Sequence, residues 1–250
     1  MEDKYNIFRE LHLERKETIH SAMIAAIVAH DEICRKYFFE MLKNKGYEEK
    51  IKELQGSIDY NDIKHKWIDT EVNLKEYVYR DKQDNIMQDD IDVNEKEDIE
   101  GEKIFVNRGR ADIWIGSNKE NSKKYRLIIE NKIGADNQDH QLRRYYRYLT
   151  GIYSKDTDDT REFAGLFFLC VNGDDNDKAK AAESAKKYST ESKDLEGEER
   201  PDTDYKILTY KDITEWLDKV IKDDNTKEGN FKEAVKQYKK MVKECVIGKQ

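Results

Sequence analysis

Cysteine is scarce: the 250-residue chain has three, Cys34, Cys170 and Cys245, too far apart for the paired spacing of a zinc site or a CxxC redox motif. They read as reduced thiols of a cytoplasmic protein. Long hydrophobic runs are lacking as well. The longest, Ala22 to Ala29, falls well short of the roughly 20 residues that a membrane-spanning helix requires. The opening MEDKYNIFRE is acidic where a signal peptide starts basic, so no membrane partner is expected. An excess of positive charge is also missing. With 46 Lys and Arg against 54 Asp and Glu the formal net charge is -8, which excludes a general polyanion-binding surface and requires any nucleic-acid contact to come from a local basic patch.

What is present suits one sizeable α/β domain over residues 1–250, since two full domains would be a tight fit. Hydrophobic residues, at 37%, suffice for a core beneath a surface made polar by 40% charged residues. Helical periodicity runs from Glu14 to Asn44, as one helix or as two with a break near His30, and stops at Gly46. Asp62 to Tyr79 alternates as a strand. Two strands, Ile104 to Gly116 and Tyr125 to Ile133, flank the turn-rich SNKENSKK and form a hairpin. A helix from Asp139 to Tyr153, a buried strand from Phe163 to Val171, a short strand from Tyr205 to Leu208, and helices over 212–221 and 231–246 complete the pattern. Charged excursions fall at about residues 81–102 and 174–204, the second with a short helix over 179–187. No internal repeat is visible. The order predicts a mixed central sheet of four to five strands flanked by helices.

The chemistry concentrates on the hairpin. In RLIIENKIGA, side chains two apart share a face of the strand, so Glu130 and Lys132 emerge together. On the partner strand Asp112 sits between Ala111 and Ile113, where a charge is costly unless it meets a metal or another cation. Two carboxylates converging from neighbouring strands suit a hard divalent cation such as Mg2+. With a lysine beside them they could stabilise charge on phosphoryl oxygens and direct a water in phosphodiester hydrolysis. An E-x-K tripeptide alone is weak evidence in so charged a chain, and a buried structural ion pair is the plain alternative; the strand aspartate and apolar flanks make the pattern specific. On the helix that follows, Arg143, Arg144, Tyr145 and Arg147 form the densest basic and aromatic cluster, suited to phosphate contacts and base stacking. Snorkelling side chains on a packed face are the alternative there.

GRADIWIG followed by YRLIIENKIGADNQDHQLRRYYRYL resembles the PD-(D/E)XK nuclease superfamily, in particular a branch with a D...ENK...QLxxYxxYL pattern. Arg110-Ala111 stand where the proline of the name would be, a departure with no catalytic consequence. The resemblance spans Glu17 to Leu217 and implies a restriction-endonuclease-like fold. It implies that Asp112, Glu130 and the backbone carbonyl of Asn131 bind Mg2+ or Mn2+, and that Lys132 positions the water. Gln141, joined by Gln138, supports the site, and Glu17, in ETIHS, belongs to it, although a first-turn glutamate also favours a helix dipole. His20 reads as structural, with a hydrogen bond in the site as the alternative, and Glu71 as solvent-facing, with a place as an extra ligand as the weaker alternative. The resemblance further implies a nuclease acting on DNA or RNA in defence, restriction or repair, with a homodimer and a protein partner or activator as open options. A catalytically silent nuclease fold serving as a binding subunit is the rival of another class.

Overall fold

The computed structural model describes residues 16–62, 66–78, 95–99, 102–119, 123–134, 140–150, 161–186, 202–226 and 229–248. The long N-terminal helical pattern divides into α1 (Glu17–His30) and α2 (Glu32–Lys45). The break falls at Asp31, whose extended backbone ends one helix and whose carboxylate accepts the Ile33 N–H at 2.7 Å to cap the next. A helix that the sequence reading did not anticipate, α3 (Glu48–Gly56), follows and buries Ile51 and Leu54.

Strands β1 (Ile68–Val78), β2 (Glu95–Ile99), β3 (Glu102–Gly116) and β4 (Lys124–Asn131) come next. The predicted hairpin is β3 against β4, antiparallel, with Ile113 opposite Ile129 and Ile115 opposite Leu127. Strand β2 corrects the first charged excursion in part: residues 95–99 pair with β3, and residues 79–94 lie outside those described. Helix α4 (Gln141–Thr150), strand β5 (Arg161–Cys170), helix α5 (Asp175–Ser184), strand β6 (Lys206–Thr209), and helices α6 (Tyr210–Lys222) and α7 (Asn230–Met241) complete the order, with a π-helical turn at Val242–Ile247. The ends of the predicted 139–153 helix lie outside the described residues.

The sheet runs β1-β3-β4-β5-β6, with β2 paired to β3 off this path. β1, β3 and β4 are antiparallel neighbours, whereas β5 and β6 lie parallel to β4, so the sheet is mixed. The expected sheet of four to five strands is met by the five of this path, with β2 as a sixth, and the fold is α/β with a restriction-endonuclease-like arrangement.

Alternation along the strands builds two cores. Ile113, Ile115, Leu127, Ile129, Phe167 and Leu169 join Ile24, Phe38, Trp216 and Tyr238 from the helices on one face. Ile128, Leu166, Phe168 and Cys170 join Leu142, Tyr145 and Leu149 of α4 on the other. On β3 the sides change: Ile113 belongs to the first core, but Ala111 and its cross-strand neighbour Val72 belong to the second. The changeover falls at Glu71 and Asp112, where the register runs on unshifted but Glu71 has φ 56°, the left-handed region that L residues avoid at a cost of about 1–2 kcal/mol.

All three cysteines are free and buried. Among the described residues no helix is long and apolar enough to cross a membrane. Phe38 is fully buried, edge-on to Trp216 at 5.1 Å and to Phe39 at 6.0 Å. Phe38→Ala should therefore cost about 3–5 kcal/mol in denaturant unfolding, and a loss below about 1 kcal/mol would show that this core is not packed as described.

Candidate active site

The site forms where β3 and β4 part. Their ladder ends at Ile113 and Ile129, and at the next step the Asp112 carboxylate replaces the missing backbone partner: its Oδ2 accepts the Asn131 N–H at 2.7 Å. β5 continues the other edge of β4, with the Lys132 N–H donating to the Leu169 carbonyl at 2.8 Å. The E-x-K segment is thus held by hydrogen bonds on both sides.

Glu130 is only 1% exposed, and Lys132 Nζ lies 2.8 Å from its Oε1. Its Oε2 is buried without a hydrogen bond of acceptable geometry. The neighbouring Tyr145 hydroxyl gives its proton elsewhere, to the Arg110 carbonyl at 2.7 Å. Burial, and then the charge of Asp112, push the Glu130 carboxyl up to about 8. Burial raises Asp112 to about 6 against the opposing effects of the Asn131 N–H and Lys132, with Glu71 and Glu17 adding to the rise. Burial disfavours the Lys132 ammonium, but Glu130 together with Glu17 and Asp112 outweighs it and leaves the pKa raised.

Gln141 roofs this arrangement from α4. Its Nε2 donates to the Tyr145 hydroxyl at 2.8 Å, while its buried Oε1 has no hydrogen-bond partner. Gln138 lies outside the described residues. Glu17 reaches the site from α1 on the opposite face. Its Oε1 accepts the N–H of Ile133 at 2.7 Å and lies 3.4 Å from that of Gly134, so it pins the backbone just after Lys132.

The structure therefore brings Asp112, Glu130, Asn131, Lys132, Gln141 and Glu17 together. It corrects the expectation of a basic surface on α4. Arg143, Arg144, Tyr145 and Arg147 are 0%, 7%, 1% and 3% exposed, because this helix packs against the sheet and α5 and the arginine stems are covered with it. Arg143 lies 5.8 Å from the centre of the Tyr146 ring and donates to Thr203 Oγ1 at 3.4 Å. Tyr145 belongs to the site itself. Glu71 is likewise not the solvent-facing residue expected from sequence: it stands across from Asp112, one carboxylate oxygen is buried without a hydrogen bond, and the other lies 2.7 Å from Nε of Arg110. Its place follows from the pairing of β1 with β3, which no short turn sets, and nothing in the sequence announces its backbone.

A sequence model of the PD-(D/E)XK nuclease superfamily matches residues 5–240. The chain belongs to the PD-(D/E)XK nuclease superfamily. No curated protein and no solved structure matches it. Membership brings a nuclease-type hydrolytic function with nucleic acid as substrate, and nucleases of this superfamily generally use divalent metals. The donors present fit such an ion: burial raises the pKa of both carboxyls, and one buried Glu130 oxygen has no hydrogen bond, an arrangement whose cost a divalent cation would offset. No group of three His, Cys, Asp or Glu side chains suited to a metal occurs among the described residues, so main-chain carbonyl and water oxygens would complete the shell, as Mg2+ favours.

The sign of the pH dependence follows. Asp112 and Glu130 titrate higher in the folded protein than in the unfolded chain. Between about pH 4 and 8 the folded state binds the more protons, so their contribution to the stability of the cation-free protein falls as pH rises through that window. Glu130→Gln should remove much of this fall. Mn2+ should raise the wild-type melting temperature more at pH 8 than at pH 5; equal gains would exclude the two carboxylates as its ligands.

Proposed function

We propose that this PD-(D/E)XK protein is a divalent-cation-dependent nuclease that hydrolyses phosphodiester bonds in DNA, with Mg2+ or Mn2+ as the ion. The observation that carries the reading is Glu130: a carboxylate 1% exposed, with one oxygen beside Lys132 and the other without a hydrogen bond, in the field of Asp112. A fold kept only as scaffold gains nothing from this arrangement, because an incompletely compensated buried charge is destabilising.

Asp112, Glu130 and the main-chain carbonyl of Asn131 would hold the ion, which when bound supplies charge neutralisation at the phosphoryl oxygens and acidifies water. Lys132, its side chain 13% exposed, donates hydrogen bonds to the attacking water and to a non-bridging phosphate oxygen. Its pairing with Glu130 keeps the ammonium charged and aimed into the site. Gln141 and Tyr145 fix the α4 side through the Arg110 carbonyl. Glu17 fixes the backbone beyond Lys132. The buried arginines of α4 serve as packing and holding residues, and strand contact falls to Arg110, 62% exposed at the rim. Defence, restriction or repair in a prokaryotic cytoplasm is the setting we assign to such an enzyme.

Wild-type protein should cleave plasmid or linear DNA with Mg2+ or Mn2+ and not with EDTA, and Glu130→Ala and Lys132→Ala should each lose at least about 100-fold in rate. Parallel RNA substrates decide between the two nucleic acids. Absence of cleavage of either, together with absence of Mn2+ binding, would sink the nuclease reading. Arg143→Ala and Arg147→Ala should lower the melting temperature without weakening DNA binding; the opposite pattern would restore α4 as the nucleic-acid surface.

A further inference from the structure

Asn131, the residue between the two E-x-K positions, enters the proposed function only through its backbone. Its side chain is completely buried and points to the opposite face of the sheet from Glu130, where every hydrogen-bonding group of the amide is used. Nδ2 donates to the Glu17 carbonyl at 3.0 Å and to Ser21 Oγ at 3.1 Å. Oδ1 accepts from the Tyr210 hydroxyl at 2.8 Å. These partners belong to α1 and to the first residue of α6, two helices distant in sequence that meet behind the strand. Tyr210 is in turn packed edge-on against His20 at 5.4 Å, and His20 Nδ1 shares a hydrogen bond with the Tyr238 hydroxyl of α7 at 3.2 Å.

The chemistry of these contacts demands an amide. A carboxylate at this position would set an acceptor against the Glu17 carbonyl, and an aliphatic side chain would leave the buried Tyr210 hydroxyl without its acceptor, a loss costing about 1–3 kcal/mol. Fixing this side chain also fixes the two peptide planes on either side of it. The N–H of Asn131 holds Asp112, its C=O is a proposed cation donor, and its neighbours carry the Glu130 carboxylate and the Lys132 ammonium. Glu17 reinforces the arrangement twice, by its carbonyl to Asn131 and by its carboxylate to Ile133.

We propose that the Asn131 side chain is a positioning residue: clamped by Ser21, Glu17 and Tyr210, it sets the peptide geometry that presents Asp112 and the Asn131 carbonyl to the cation. This rests on the cation-dependent reading of the site. Packing of α1 and α6 on one face of the sheet thereby governs metal affinity on the other.

The test compares Tyr210→Phe and Ser21→Ala, each deleting one contact to Asn131, with Trp216→Phe. The last deletes a buried hydrogen bond of the same helix, from Trp216 Nε1 to the Cys34 carbonyl at 3.0 Å, away from Asn131. Two quantities are read on the full chain: hydrogen–deuterium exchange of the Asn131 and Ile133 amides without metal, and Mn2+ affinity by titration calorimetry. We expect Tyr210→Phe and Ser21→Ala to speed exchange at both amides and to weaken Mn2+ binding by about tenfold, with Trp216→Phe leaving both unchanged despite a similar fall in melting temperature. Unchanged exchange and affinity in the first two variants, or equal changes in Trp216→Phe, would overturn the proposal. If the wild type binds no Mn2+, the cation-dependent reading falls, and the exchange rates alone still decide whether the clamp sets the geometry of these amides.

Discussion

The arrangement of the site depends on one substitution of partners: where β3 and β4 stop pairing, the Asp112 carboxylate accepts the Asn131 N–H that the ladder no longer uses. A backbone N–H buried at a strand end must find an acceptor. Supplying it from a side chain brings an ionisable group to the base of the fork. Glu130, the next residue along β4 from the last ladder pair, then faces a second carboxylate across the opening, and Lys132 is drawn to it. The cluster of charge is a geometric consequence of ending an antiparallel ladder with an aspartate.

That cluster is tolerated because it is braced from both faces of the sheet. On the α4 side, Gln141 and Tyr145 form a relay that ends on the Arg110 carbonyl, two residues before Asp112. On the other side, Asn131 and Glu17 tie the E-x-K segment to α1 and α6. Hydrophobic burial positions these helices, since Ile24, Phe38, Trp216 and their neighbours form one continuous core, and the polar network sets the final geometry. The partnerless oxygens of Glu130, Gln141 and Glu71 are among the polar atoms that the braces leave over. They lie on the α4 side and along β1.

Much of this was legible in the sequence, for reasons that also explain what was not. Strand alternation in RLIIENKIGA put Glu130 and Lys132 on one face, whereas in RADIWIG it held for Ile113 and Ile115 but not for Ala111, which lies in the other core. Strand β5 declared itself as FAGLFFLCV. Helix α3 did not, because its apolar positions, Ile51 and Leu54, are too few to raise a periodic signal among charges. The arginines of α4 misled for a related reason: in sequence a guanidinium counts as solvent-seeking, whereas Arg143 is fully buried with Thr203 and Tyr146 as neighbours. Tyr210, 79 residues from Asn131, is bound to it by tertiary packing alone, which no local pattern records.

Glu71 shows how far the fold is bent toward this site. A glutamate in mid-strand at φ 56° accepts backbone strain that glycine would relieve, and it does so opposite Asp112, whose ionisation its charge opposes. Neither cost is offset by the single ion pair to Arg110, which is 62% exposed and so weakly stabilising. The compensation lies in topology. The inward residues of β3 change cores at this position, from Ile113 on one face to Ala111 on the other, and it is at this changeover that Asp112 meets the end of β4.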